Sequence, residues 1–151
     1  MAFNEALQRL MDICSRSEKS SSDILKKLRE WKLEKEADQI IKHLREEHFI
    51  DDLRYACAFV ADKIKLNKWG ILKVRYSLKS RQIESEIIEK AIDQIDMNVY
   101  HKIVFSELSI KKNTLKSKDP FIVKNKLYAF GNQRGYESNF INEFIESTEL
   151  S

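Results

Sequence analysis

Apolar residues recur along this chain at helical spacing. Leu7, Leu10, Met11 and Cys14 mark a first helix over residues 2–16. Ser20 and Ser21 stop it, and Ser20-x-x-Asp23 has the form of a capping box, with Asp in place of the usual Glu or Gln. A second helix follows, with Ile24, Leu25, Leu28 and Trp31 on one side, then Leu33 as a link. A third, over about 35–48, carries Ala37, Ile40, Ile41 and Leu44.

The plan then repeats. Asp51 or Asp52 can accept hydrogen bonds from the free N–H groups of a new helix, and its charge suits that helix end. The helix runs to about Leu66 and is expected to bury Tyr55, Ala56, Phe59, Val60 and Ile64. Asn67 to Gly70 form a turn. A helix over 71–81 buries Ile71, Val74 and Leu78, Ile83 is again a link, and a helix over about 84–95 buries Ile87, Ile88, Ala91, Ile92 and Ile95. A third copy follows Met97, with Val104 and Leu108 in a helix over about 98–112 and a polar segment, NTLKSK, expected to be mobile. Asp119-Pro120 is a strong helix start, combining a capping carboxylate with a proline at the first helical position. Val123, Leu127 and Phe130 form its stripe, and Gly135-Tyr136 turns into a last helix with Phe140, Ile141, Phe144 and Ile145. The tail, STELS, is expected to fray.

Ile24, Val74 and Leu127 align, as do Leu33, Ile83 and Tyr136, with separations of 50 and 53 residues both times. Ala37, Ile88 and Ile141 then correspond, with Ile41, Ile92 and Ile145 one turn on. The expected fold is all-α: three tandem three-helix repeats, over residues 1–50, 51–96 and 97–151, forming an elongated, curved helical array. Gly131 falls where Leu28 and Leu78 sit, so looser packing is expected there.

Composition agrees with a helical chain. Among 151 residues there are three glycines and one proline, and 34% are charged. No apolar run approaches the roughly 18–20 residues of a membrane span, and MAFNEALQRL lacks a basic start and an apolar core, so no leader is expected. Cys14 and Cys57 sit in amphipathic patterns without CxxC, and read as reduced core thiols of a cytoplasmic protein, although spacing alone does not rule out a disulfide. The net charge of +3 is unevenly spread. Residues 61–81 carry seven basic side chains and one acidic, and residues 102–126 seven and two, with acidic stretches between and after them. The pattern indicates a structured basic surface, though solvated helices commonly carry such runs.

Catalytic signatures are missing. His43, His48 and His101 form no metal-ligand spacing, no glycine-rich phosphate cradle occurs, and Asp51-Asp52 is explained by helix capping. No enzyme activity, cofactor or metal is expected. The helix over 71–81 is the best functional candidate. Its apolar side is Ile71, Val74 and Leu78; Lys73, Tyr76 and Ser80 lie roughly opposite, Arg75 and Lys79 on one flank, and Arg81 near the end. Lys63, Lys65 and Lys68 approach from the preceding helix and turn. The candidate partner-binding residues are therefore Lys63, Lys65, Lys68, Lys73, Arg75, Tyr76, Lys79 and Arg81. A surface tyrosine there can stack on a base or anchor in a protein pocket; alternatively it packs on a neighbouring unit while the lysines are solvated. In the other basic block Lys111, Lys112, Lys116 and Lys118 surround the polar segment, and Lys124 and Lys126 follow. A helix-turn-helix reading is disfavoured because the helix over 84–95 carries Glu84, Glu86, Glu89 and Asp93, which phosphates would repel.

Phe49-Ile50-Asp51-Asp52-Leu53-Arg54-Tyr55-Ala56 resembles the signature of the RecX family, bacterial regulators of the recombinase RecA. The basic linker Lys68-Trp69-Gly70, the helix from Val74 to Ile83, residues 10–31 and the turn Arg134-Gly135-Tyr136 extend the resemblance over almost the whole chain. There are departures. Ile71 stands for a proline, Lys32 and Gln82 for turn glycines and Gly131 for a leucine, so helix ends at Lys32 and Gln82 are expected to be tighter or less sharply turned. The resemblance implies a non-enzymatic, cytoplasmic regulator, a monomer by default. It would lie in the groove of the RecA–single-stranded DNA filament and limit filament growth, ATP hydrolysis and strand exchange in DNA repair and the SOS response. Weak DNA contact is left open. The alternative is a helical nucleic-acid-binding protein acting directly on DNA. The contact residues named above rest on charge and helix geometry, not on the resemblance. Arg54 is expected to pair with Asp51 or Asp52.

Overall fold

The structure, a computed structural model, describes residues 2–148. Met1 and residues 149–151, most of the STELS tail, lie outside the described residues. Among the described residues every regular element is helical: α1 (Phe3–Arg16), α2 (Ser21–Glu30), a short 3₁₀ turn (Glu34–Glu36), α3 (Ala37–Glu46), α4 (Asp52–Lys65), α5 (Ile71–Ser80), α6 (Ser85–Ile92), α7 (Met97–Thr114), α8 (Pro120–Arg134) and α9 (Ser138–Ser147). No helix among these residues is long and apolar enough to cross a membrane. The chain divides into two compact units, Met1–Ala58 with Leu78–Ala91, and Phe59–Ser77 with Ile92–Ser151. The division falls within α4, within α5 and before the last residue of α6.

Capping residues set several helix starts. The Ser20 hydroxyl accepts from the Asp23 N–H at 3.1 Å, while Asp23 accepts from the Ser20 N–H at 3.0 Å, completing the expected box. Asp119 accepts from the Phe121 N–H at 2.9 Å, with Pro120 as the first helical residue. Asp96, which the periodicity left outside the helix, caps α7 through the Asn98 and Val99 N–H groups.

In the first unit Ala6, Leu10, Ile24, Leu28, Leu33, Ala37, Ile40, Leu44 and Ile50 form a buried cluster. Leu7, Met11, Cys14, Leu25, Trp31 and Ile41, expected as core, pack half-buried around it. Cys14 and Cys57 are free thiols, and burial pushes that of Cys14 up from its ordinary value. Two aspartates and an arginine fasten this unit. Asp51 accepts from the Arg54 N–H at 3.1 Å and so caps α4. Asp52 reaches a different helix, accepting from the N–H and hydroxyl of Ser21 at the start of α2, both at 3.2 Å. Arg54 does not pair through its guanidinium with either aspartate. It binds Glu18 at 2.7 Å and donates to the carbonyls of His48 and Phe49 at 3.2 and 3.4 Å. The guanidinium is drawn to unpaired carbonyls just past α3, where positive charge is favourable, and to the one acid beside them.

In the second unit α7, α8 and α9 pack on one another. Val104, Leu108, Val123, Leu127, Ile141, Phe144 and Ile145 are buried, as is Tyr100. Phe105 meets Phe144 edge-on at 5.4 Å, and His101 stacks on Phe105 at 4.1 Å. Gly131 is not a loose spot. A Cβ there would lie 2.5 Å from Cδ1 of Ile141, so the isoleucine already fills the space a leucine would occupy.

Four helix ends share one geometry, that of α3 among them, where the Phe49 N–H bonds the Leu44 carbonyl at 2.8 Å behind His48 at φ 61°. Leu33 N–H bonds the Leu28 carbonyl at 2.8 Å, Ile83 that of Leu78 at 3.2 Å and Tyr136 that of Gly131 at 2.9 Å. The residue before each lies in the left-handed region: Lys32 at φ 60°, Gln82 at 64° and Gly135 at 87°. The ends without glycine are therefore turned just as sharply as the end with it, because burying Leu33 and Ile83 outweighs the cost of left-handed backbone at the preceding residue.

Candidate interaction surface

Six of the eight candidate residues belong to the second unit. α4 ends in a left-handed turn at Lys68 (φ 59°), where the Trp69 N–H bonds the Lys63 carbonyl at 2.9 Å. The Lys68 ammonium folds back onto the Lys65 carbonyl at 2.7 Å, a favourable place for positive charge at a helix C-terminus.

The first turn of α5 has no side-chain cap of its own. The C-terminal turn of α8 and the buried Tyr100 satisfy its donors instead, and the buried Tyr136 holds the turn before it. Gly70 N–H donates to the Arg134 carbonyl at 2.6 Å, Leu72 N–H to that of Gly135 at 3.0 Å, and Ile71 N–H to the Tyr100 hydroxyl at 3.0 Å. Tyr100 donates in turn to Glu137 at 2.5 Å, and the Tyr136 hydroxyl donates to the Lys68 carbonyl at 2.6 Å. Burial pushes the Tyr136 phenol up to about 12, while burial and the Glu137 carboxylate push that of Tyr100 well above its ordinary value. Such close approach of two backbones requires glycine. A Cβ on Gly70 would stand 2.1 Å from the Gly135 carbonyl oxygen, and one on Gly135 would stand 2.3 Å from Cβ of Lys73.

This frame presents Trp69 with two cations on it. The Lys63 ammonium lies 4.8 Å from the indole centroid and that of Lys73 lies 4.4 Å from it. Lys63 is also 5.5 Å from Phe59, which meets Trp69 edge-on at 6.3 Å. Lys65 is exposed, and Tyr76 is 75% exposed. Lys73, expected opposite the apolar side, and Arg75, expected on a flank, are half-buried: the Lys73 ammonium lies over Trp69, and Arg75 is engaged within the protein. In the first unit Lys79 is exposed, and Arg81, also exposed, hydrogen-bonds Tyr55. Sequence reasoning placed Trp69 merely in a turn and overlooked Tyr100 and Glu137. A tryptophan spaced six residues from one lysine and four from another was the available signal for the first, while nothing local marks the other two.

The second basic block has a related but partly neutralised arrangement. Lys111 and Arg134 lie 5.7 and 4.8 Å from the Phe130 centroid, and Glu107 pairs with Arg134 at 3.1 Å. Lys116, Lys118 and Lys126 are exposed. Among the described residues no group of three or more His, Cys, Asp and Glu side chains could hold a metal ion.

Residues 51–92 match the family model described as RecX, second three-helix domain. Regulatory protein RecX of Clostridium acetobutylicum is 31% identical over 146 residues, covering 93% of this chain and 67% of that protein. Regulatory protein RecX of Clostridium botulinum (strain Eklund 17B) is 32% identical over 108 residues, 70% of this chain, and the match spans half of that relative's length. A crystal structure of regulatory protein RecX superposes with a TM-score of 0.86 at 25% identity, covering 95% of this chain and 72% of that one. RecX from Lactobacillus salivarius shares the fold with a TM-score of 0.87 at 17% identity, covering 98% and 97%. With its helical fold and a 31% identical relative matched over 93% of this chain, the chain belongs to the RecX family.

Proposed function

We propose that this chain regulates the RecA recombinase in the cytoplasm by binding the RecA–single-stranded DNA filament in its groove. Bound there, it limits filament extension, ATP hydrolysis and strand exchange. It works as a non-enzymatic binding protein, built in sequence as three-helix repeats over 1–50, 51–96 and 97–151. The observation that carries this reading is the relationship to regulatory protein RecX along 93% of the chain. The basic residues along α4 and α5 and the exposed Tyr76 support a binding role, since clustered cations complement acidic protein surface and phosphate alike.

The test is ATP hydrolysis by the matching recombinase on single-stranded DNA, titrated with this protein beside a bare-DNA control. Inhibition is expected where bare DNA is mostly unbound. No inhibition, with clear bare-DNA binding, would overturn the reading in favour of a protein acting directly on DNA. Charge reversal for mapping the contact belongs at Lys65 and Lys79, which are exposed, rather than at Lys73, whose ammonium lies over Trp69. The variant K65E/K79E is expected to stay folded by circular dichroism and to need several times more protein for half-inhibition.

A further inference from the structure

Two cation–aromatic clusters sit in the second unit, and they differ in one respect. At Phe130 one of the two positive charges is answered, by Glu107 at 3.1 Å from Arg134. At Trp69 neither is answered: the ion pairs among the described residues involve neither Lys63 nor Lys73. The two ammoniums share one indole, so they lie at most about 9 Å apart, roughly one Debye length at physiological ionic strength. They repel each other, and both cannot draw fully on the same ring. An anion at the edge of the ring would relieve that repulsion and take a charge-assisted hydrogen bond from the ammonium it meets.

We propose that Lys63, Trp69 and Lys73 form a binding site for one phosphodiester of a single-stranded nucleic acid, with Tyr76 stacking an adjacent base. The aromatic neighbour favours phosphate over a protein carboxylate. Tyr76 follows Lys73 by three positions on α5, so the two side chains are neighbours on the helix surface, and its ring is open to solvent. A strand offers a phosphate and a base at that separation, whereas an acidic side chain would leave the ring unused. The site is held in place rather than assembled on binding: Trp69 is fixed by its bond to the Lys63 carbonyl, and the start of α5 by the α8 turn. This inference rests on the reading of the α4–α5 surface as the contact surface, and it names the chemistry of one part of it.

The test measures anisotropy of a labelled oligothymidylate with the full chain in low salt, using polyglutamate of matching charge as competitor. The variant K63M/K73M is expected to weaken oligonucleotide binding at least tenfold and to reduce the slope of log affinity against log salt by about 0.7, the share of one phosphate. Y76A is expected to weaken it about fivefold or more. K116M/K118M removes the same charge elsewhere in the unit and should weaken it less than threefold. Undiminished binding by a folded K63M/K73M, equal losses in the two double variants, or equally effective displacement by polyglutamate would each overturn the site. Recombinase inhibition is read separately: if it persists while K63M/K73M binds the oligonucleotide like wild type, the phosphate site falls and the regulator stands. If K63M/K73M loses oligonucleotide binding but the wild type never inhibits, the reverse holds.

Discussion

Gly135 and Gln82 occupy equivalent places at the ends of α8 and α5, yet substitutions there should have opposite effects. Gly135 combines φ 87° with a backbone neighbour where its Cβ would be, so Gly135→Ala should cost about 2–4 kcal/mol, from left-handed strain and overpacking together. Gln82 holds φ 64° with an exposed side chain, so Gln82→Gly should raise stability by about 0.5–1 kcal/mol once the freer unfolded chain is counted. The midpoint of urea unfolding reports both, and a destabilised Gln82→Gly would contradict the account. The identity of Gln82 alone points to a gentler turn. Its conformation follows from Ile83, whose burial one residue later requires the chain to reverse there. Gly131 was misjudged for a similar reason: the residue that fills its space, Ile141, lies ten positions away on another helix.

At the scale of elements, the helices were legible because their information is local. Apolar spacing located the nine α-helices among the described residues, and Ser20-x-x-Asp23 and Asp119-Pro120 marked two starts that the structure reproduces. The start of α5 was legible only as a break at Trp69-Gly70, since its donors are satisfied by residues 29 to 64 positions away. Tyr100→Phe tests this dependence. It strands the Ile71 N–H and removes the donor from Glu137, and should cost about 1–3 kcal/mol, measured as a shift in the unfolding midpoint. Circular dichroism should still show a helical chain, because α7 keeps the ring's buried contacts. The signature around Asp51-Asp52 likewise proves to be a clasp. Asp52→Ala should cost about 1–2 kcal/mol by unfastening the start of α2, whereas the sequence had pointed only to α4. Removing a partner-binding residue would leave stability alone, so a stability loss in Asp52→Ala with no loss of binding by the folded fraction would fix its role as structural.

For the molecule as a whole, the expected repeat near 50 residues and the division into packing units cut the chain at different places: the first is expected to end between helices, the second falls within α4, α5 and the end of α6. Stability as a function of pH probes the second unit through its two buried phenols. Below about pH 10 both are protonated in folded and unfolded chains alike, so pH has no leverage through them. Between pH 10 and 12 an unfolded chain releases these protons while the folded chain retains that of Tyr136, whose phenol burial has pushed up to about 12, and that of Tyr100, which is pushed up in the same direction. The unfolded state then binds fewer protons, and unfolding becomes easier as pH rises. Stability measured by urea unfolding should therefore hold up to about pH 10 and fall through the following two units. Tyr136→Phe should flatten part of that fall, at a cost near neutral pH of about 1 kcal/mol for the lost bond to the Lys68 carbonyl. An identical alkaline slope in wild type and Tyr136→Phe would mean that the phenol is ionised in the folded protein as readily as in the unfolded one. The capping frame around Lys68 and Gly70 would then be open to water, and the fixed geometry assigned to Trp69 and its two lysines would lose its support.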